Sequence, residues 1–244
     1  MKTTFFSITR VNRLRQAAVK AREIPGKGSG WWLGERASMA DGPANDLLGV
    51  FDTLWLKPGF VLHACVYQEF HGGNGRIWAV PTDSLPVTSG GHPNLEGEWM
   101  KRPPGAVPLM EAIEGDGSPW SYLSASILSR EAVEFGAYWH GLDWSVHTIL
   151  SEPPRQADDP DVSGSERPET GDAPVGNWTW HAPVPDRWAP TVVEKGTATE
   201  VVMHAYNPIA GENVYRATDR YPTGSYVGKT ATEVLCWGDG GFVF

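Results

Sequence analysis

Cysteine is nearly absent from this chain. Its 244 residues hold two, Cys65 and Cys236, each inside an apolar run (HACVY and VLCWG). Two such cysteines make neither a disulfide framework nor a zinc-ligand spacing. They read as buried free thiols in a reducing compartment, with a single Cys65–Cys236 bridge as the alternative. Long apolar runs are also missing. No stretch approaches the roughly 20 apolar residues of a membrane span, and the N-terminus lacks the apolar core and cleavage site of a secretory signal. The expectation is a cytoplasmic chain with no membrane role. Catalytic signatures are lacking too. There is no G-x-S-x-G elbow and no HExxH pair. Gly224–Thr230 (GSYVGKT) is one residue short of a phosphate loop and is followed by ATEVLCW, which does not read as a helix. From Glu114 onward, Pro119 and Ala125 stand where a calcium loop needs glycine and glutamate. The sequon Asn177-Trp178-Thr179 carries no meaning in a cytoplasmic chain.

What the chain does have is tryptophan, glycine and proline. The 28 Gly and 20 Pro favour a turn-rich, strand-containing fold over a helical bundle, because each interrupts regular structure. The 12 Trp imply either a heavily aromatic core or a surface built for stacking. A chain of this length buries enough surface to fold without staples. The net charge is −9, yet residues 1–30 carry seven basic side chains (Lys2, Arg10, Arg13, Arg15, Lys20, Arg22, Lys27) against the single acid Glu23. Such a segment suits a transit peptide, a nucleic-acid arm or a basic helix docked on its own acidic body. The third fits best, since an acidic body repels phosphate backbones, and nucleic acid is not an expected partner.

Periodicity gives the organisation. Phe5–Ile8 reads as a short strand. Residues 10–23 read as a helix with Val11, Leu14, Ala18 and Ala21 on one face, stopped by Pro25. Residues 26–49 read as Gly-rich loop. From Phe51 the period becomes two: FDTLWL, GFVLHACVYQEF and GRIWAVP are strands, with HGGNG (71–75) as a hairpin loop. Residues 107–114 suggest a short helix, and Ser118-Pro119 an N-cap with its first helical residue. The main amphipathic helix is placed at about 126–140, with Leu128, Ala132, Phe135, Trp139 and Leu142 as its stripe, Arg130 and Glu134 as an outer pair, and Gly141 as its stop. WSVHTIL, TVVEKG, TEVVMHAYN, ENVYRATD, SYVGKT and EVLCWG complete the strands. The fold class is therefore α+β: mainly antiparallel sheet with hairpins, packed by the 126–140 helix and the basic N-terminal helix. Residues 151–176 are acidic and rich in Pro, Ser and Gly, and read as a flexible loop. The expectation is a single domain over 1–244 carrying that loop, with 1–150 and 177–244 as two subdomains the alternative.

Two groups of residues are candidates for chemistry. Val61-Leu62-His63-Ala64 resembles Val202-Met203-His204-Ala205, and Thr-Asp follows in each (Thr82-Asp83, Thr218-Asp219). His63, His204, Asp83 and Asp219 would form a catalytic or metal site if the two hairpins met. Trp139, His140, Asp143, Trp144 and His147 would line a ligand pocket with aromatic walls and polar tips. No established metal-ligand spacing is present, and no motif names a cofactor or an oligomeric state. Two functions follow: a small-molecule or protein-partner binding protein, or a small hydrolase or metal-dependent enzyme using the His and Asp residues.

Overall fold

A computed structural model describes residues 1–23, 36–40, 42–69, 72–84, 102–139, 141–158, 173–209 and 211–241. In chain order the first half holds β1 (Lys2–Phe5), α1 (Ile8–Arg22), β2 (Arg36–Ala40), α2 (Gly42–Gly49), β3 (Leu54–Leu56), β4 (Phe60–Glu69), β5 (Gly72–Pro81), β6 (Val107–Pro108), β7 (Ile113–Gly115) and α3 (Pro119–Val133). Then come β8 (Tyr138–Trp139), β9 (Thr148–Leu150), β10 (Arg155–Gln156), β11 (Val175–Gly176), β12 (Thr179–Trp180), β13 (Thr191–Glu194), β14 (Ala198–Asn207), β15 (Asn213–Pro222) and β16 (Lys229–Trp237). The class is α+β, dominated by antiparallel sheet. Two compact units divide the chain: Met1–Arg13 with Val146–Phe244, and Leu14–Ser145. Among the described residues no helix is long and apolar enough to cross a membrane.

The first unit is built on a seven-stranded antiparallel sheet in the order β1-β13-β14-β15-β16-β12. β13 and β9 share one edge of β14 end to end, pairing Thr199–Val202 and His204–Tyr206 respectively. Leu150, Trp178, Trp188, Val214, Leu235 and Cys236 form its buried core, with Trp180 and Tyr206 packed against it. Cys236 is a free thiol, so the bridge to Cys65 is not made. Burial pushes its pKa up to about 11, leaving it an inert core group. The Trp237–Gly241 segment wraps the buried Glu212. Its carboxylate accepts from the Tyr206 hydroxyl at 2.6 Å and from Gly240 N–H at 3.0 Å. A Cβ on Gly238 would stand 2.3 Å from that carboxylate, so only glycine fits there.

The described flanks of the acidic stretch are ordered by short pairing. β10 and β11 run parallel, and Gln156 bonds both the N–H and the C=O of Trp178. Most of the stretch read as a flexible loop, residues 159–172, lies outside the described residues.

The second unit holds the β4–β5 hairpin, two ten-residue strands in unbroken register from Phe60↔Pro81 to Glu69↔Gly72. β2 covers the free edge of β4, while β6 and β8 take opposite ends of the free edge of β5. Residues 72–75, read as hairpin loop from their glycines, instead continue the ladder. β2 and α2 lie where only loop was expected, and 109–112 form one 3-10 turn between β6 and β7.

The main helix begins and ends earlier than its apolar stripe suggests. Ser118 caps α3 by accepting from Ser121 N–H, Pro119 fills the first turn, and Gly136 at φ +66° ends the path. Every residue from Ser121 to Leu128 is buried. Three of these are serines, small enough to sit on inward faces that composition assigns to solvent. Ser121 Oγ donates to Ser118 O within the helix. The expected Arg130–Glu134 pair is not made. Arg130 bonds Ser126, and Glu134 is buried just past the helix end.

Helix α1 buries Val11, Arg15, Ala18 and Arg22, which fall at steps of four, three and four on one face. The expected stripe has Leu14 and Ala21 instead, and both are only half-buried. Two arginines thus occupy inward positions.

Candidate functional site

Arg15 and Arg22 meet two glutamates from the end of α3. Arg15 Nε lies 3.3 Å from Glu131 Oε1, and Arg22 reaches Glu131 and Glu134 at 2.8 Å each. Trp144 Nε1–H donates to Glu131 Oε1 at 2.8 Å, while the Arg15 guanidinium lies 4.2 Å from the Trp144 ring centre and also donates to Trp144 O. Glu134 accepts from the N–H groups of Asp143 and Ser145. Burial pushes the Glu131 carboxyl above its ordinary range, against the opposing pull of the two guanidiniums. With every charge matched and the Trp144 N–H and π face both engaged, this cluster holds the 143–145 segment in place.

The sequence-derived ligand group is therefore distributed as follows. Trp144 belongs to the ion cluster, and Asp143 is exposed, its N–H bonded to Glu134. His147 lies in the other compact unit, its Nδ1 2.8 Å from the Tyr215 hydroxyl. The Trp139 side chain and His140 lie outside the described residues.

The two histidine hairpins lie in different sheets of different units. His63 is buried on β4, the cross-strand partner of Trp78. Asp83 is exposed beside Ser84. Asp219 is buried and accepts from the Thr230 hydroxyl at 2.5 Å. Among the described residues no group of three or more His, Cys, Asp or Glu could hold a metal ion.

His204 is buried against Trp188, with ring centres 4.8 Å apart and Nδ1 3.3 Å from Trp188 O. Burial holds its pKa below the ordinary 6.5; the Trp188 carbonyl opposes this and the Arg216 charge adds to it. The unfolded chain takes up a proton near 6.5 that the folded state resists. Stability is thus complete above 6.5 and falls as pH drops below it towards the folded value. His204→Gln is expected to reduce that acid-side fall in the urea midpoint. An unchanged slope would assign it to other groups.

The tryptophans point to a different place. Buried Trp144, Trp178 and Trp188 each donate their indole N–H, to Glu131, Arg155 O and Pro185 O. Even exposed Trp55 donates to Glu114. Trp78 is 7% exposed, and its Nε1–H has no acceptor among the described residues. Buried indoles ordinarily find one.

Trp78 lines a cavity of about 380 Å³ within the second unit. Asn74 to Trp78 of β5 form one wall, Pro108, Leu109 and Met110 another, and Ser129, Ala132 and Val133 at the end of α3 a third. The strand period of two puts Asn74, Arg76 and Trp78 on one face of β5. Accordingly, the Arg76 guanidinium sits 5.4 Å from the Trp78 ring centre. The arrangement can bind, orient and hydrogen-bond a small molecule. It offers no nucleophile paired with a base. From sequence, Trp78 reads only as a strand residue, and the alternation Asn74-x-Arg76-x-Trp78 is its one local signal. No protein-family model, no curated protein sequence and no solved structure matches this chain, so the site stands on its own geometry.

Proposed function

We propose that this protein binds a small organic molecule in the cavity beside Trp78, in the cytoplasm, without transforming it. The observation that carries the reading is a cavity of ligand size whose mainly apolar wall includes Trp78 and carries Asn74 and Arg76 as its polar groups. The mainly apolar lining supplies area, and the few polar groups set orientation.

The test is a thermal-shift screen of small metabolites, followed by titration of each hit against Trp78→Phe. A ligand specific to the native state raises the melting temperature by mass action. Trp78→Phe keeps an aromatic ring and reduces the indole wall of the cavity. It is expected to leave the protein folded and to weaken the ligand several-fold through lost contact area. A hit that binds the variant equally well would place its site elsewhere.

A further inference from the structure

We infer that this protein pairs with a second copy of itself along the open edge of β16, antiparallel about a two-fold axis at Ala231. In the seven-stranded sheet β16 has β15 on one side and only the short β12 on the other. β12 pairs with Cys236 and Trp237, and the chain just after it bonds Leu235 O through the N–H groups of His181 and Ala182. From Lys229 to Val234 no described strand pairs with that side. The stretch is exposed as far as Glu233. Alternate residues of a strand direct both main-chain groups to the same side, so this edge offers a row of N–H and C=O groups open to another strand. Two devices that usually blunt such an edge are missing from it. It has no proline, and its core-side positions are Thr230 and Thr232, opposite buried Asp219 and Ala217, where an inward charge would block pairing. The register irregularity of β15 with β16 lies beyond it, between Val214 and Tyr215.

The charges choose the occupant. Lys229, Ala231 and Glu233 share the solvent face, opposite Arg220, Thr218 and Arg216 of β15. Glu233 is paired with Arg216. Lys229 stands opposite a like charge, Arg220, and makes no ion pair among the described residues. Like charges directly opposite repel, so an acid brought beside Lys229 is stabilising. In an antiparallel seam centred on Ala231, Lys229 stands opposite Glu233 of the second copy, and symmetry repeats the pair. Thr230 then meets Thr232, a favourable cross-strand pair. Each Glu233 comes to lie between Arg216 of its own chain and Lys229 of the other. Centring the seam on Thr232 would set Lys229 against Leu235 and Glu233 against Ala231. Centring it on Thr230 would set Lys229 against Ala231. Of these registers only the one at Ala231 matches the charges, and a second copy of this chain supplies the complement.

A strand-edge seam is a small interface, in the weak class below about 1,200 Å². The test is therefore sedimentation of the full chain over a wide concentration range, at low and at high salt. The expected result is a reversible dimer that weakens as salt rises. Lys229→Glu and Glu233→Lys, both at exposed positions, are expected to leave the urea midpoint nearly unchanged. Each is expected to weaken self-association about tenfold or more, since the first leaves only acids at the seam and the second only lysines. Mixing the two variants is expected to restore a dimer of near-parental strength, because each supplies the charge the other lacks. A chain that stays monomeric up to its solubility limit overturns the inference and leaves the edge to a strand of another protein. A dimer that both single variants retain uses a different surface and overturns it as well. Loss in both variants with no association of their mixture does the same.

Discussion

Glu131→Ala is expected to destabilise the protein by about 3–5 kcal/mol, the range for breaking a buried ion pair from one side. The side chain is fully buried, accepts from Arg15 and the Trp144 indole, and is ion-paired with Arg22. Removing it leaves two guanidiniums facing a single remaining carboxylate, Glu134, in a place water does not reach. The position reads from sequence as solvent-facing, where truncation costs about 0.5 kcal/mol or less. Urea denaturation followed by tryptophan fluorescence separates the two expectations. Glu131→Gln is expected to cost less, because its carbonyl still accepts from Trp144 while the charge is lost. A loss below about 1 kcal/mol for the alanine variant would mean that water enters the cluster and solvates the arginines.

Phe135→Ala is the second large effect, at about 3–5 kcal/mol. The ring is fully buried within a run, Glu134 to Ala137, that is buried throughout. Alanine would remove the aromatic ring and leave a void, and both losses add. Val133, two residues earlier, is 71% exposed and serves as the control. Val133→Ala is expected within about 0.5 kcal/mol of the parent. Comparable losses at both positions would contradict the burial pattern.

These two residues also mark where the sequence is legible. Phe135 falls on an apolar stripe with Leu128, and periodicity finds it even though the helix itself ends at Val133. The strands β4, β5, β14 and β15 show themselves by their period of two. The start of α3 is also written in Ser118-Pro119. The stripe draws the helix downstream because Ser121, Ser124 and Ser126 look solvent-exposed by type and are wholly buried in fact. Charge misleads in the same way at Arg15 and Arg22, which share a face with Val11 and Ala18. Their signal is two-sided: inward arginines need inward acids, and Glu131 and Glu134 are spaced for one face of a helical turn. The cavity has no comparable signal. Its walls come from residues 74–78, 108–110, 129, 132 and 133, and only the fold brings them together.

The pairing of β1 with β13 bears on synthesis. Lys2–Phe5 bonds Thr191–Glu194, far along the chain. A ribosome emits chain from the N-terminus at roughly 5–20 residues per second, and domains fold as units as they emerge. Leu14–Ser145 is contiguous and can close as soon as it is out. The unit that begins first is completed last: its opening strand must wait, with its edge unpaired, until residue 194 appears. An edge strand kept waiting is a template for wrong pairing. The order of emergence thus gives the inserted unit a head start and leaves β1 exposed to misassembly until β13 arrives.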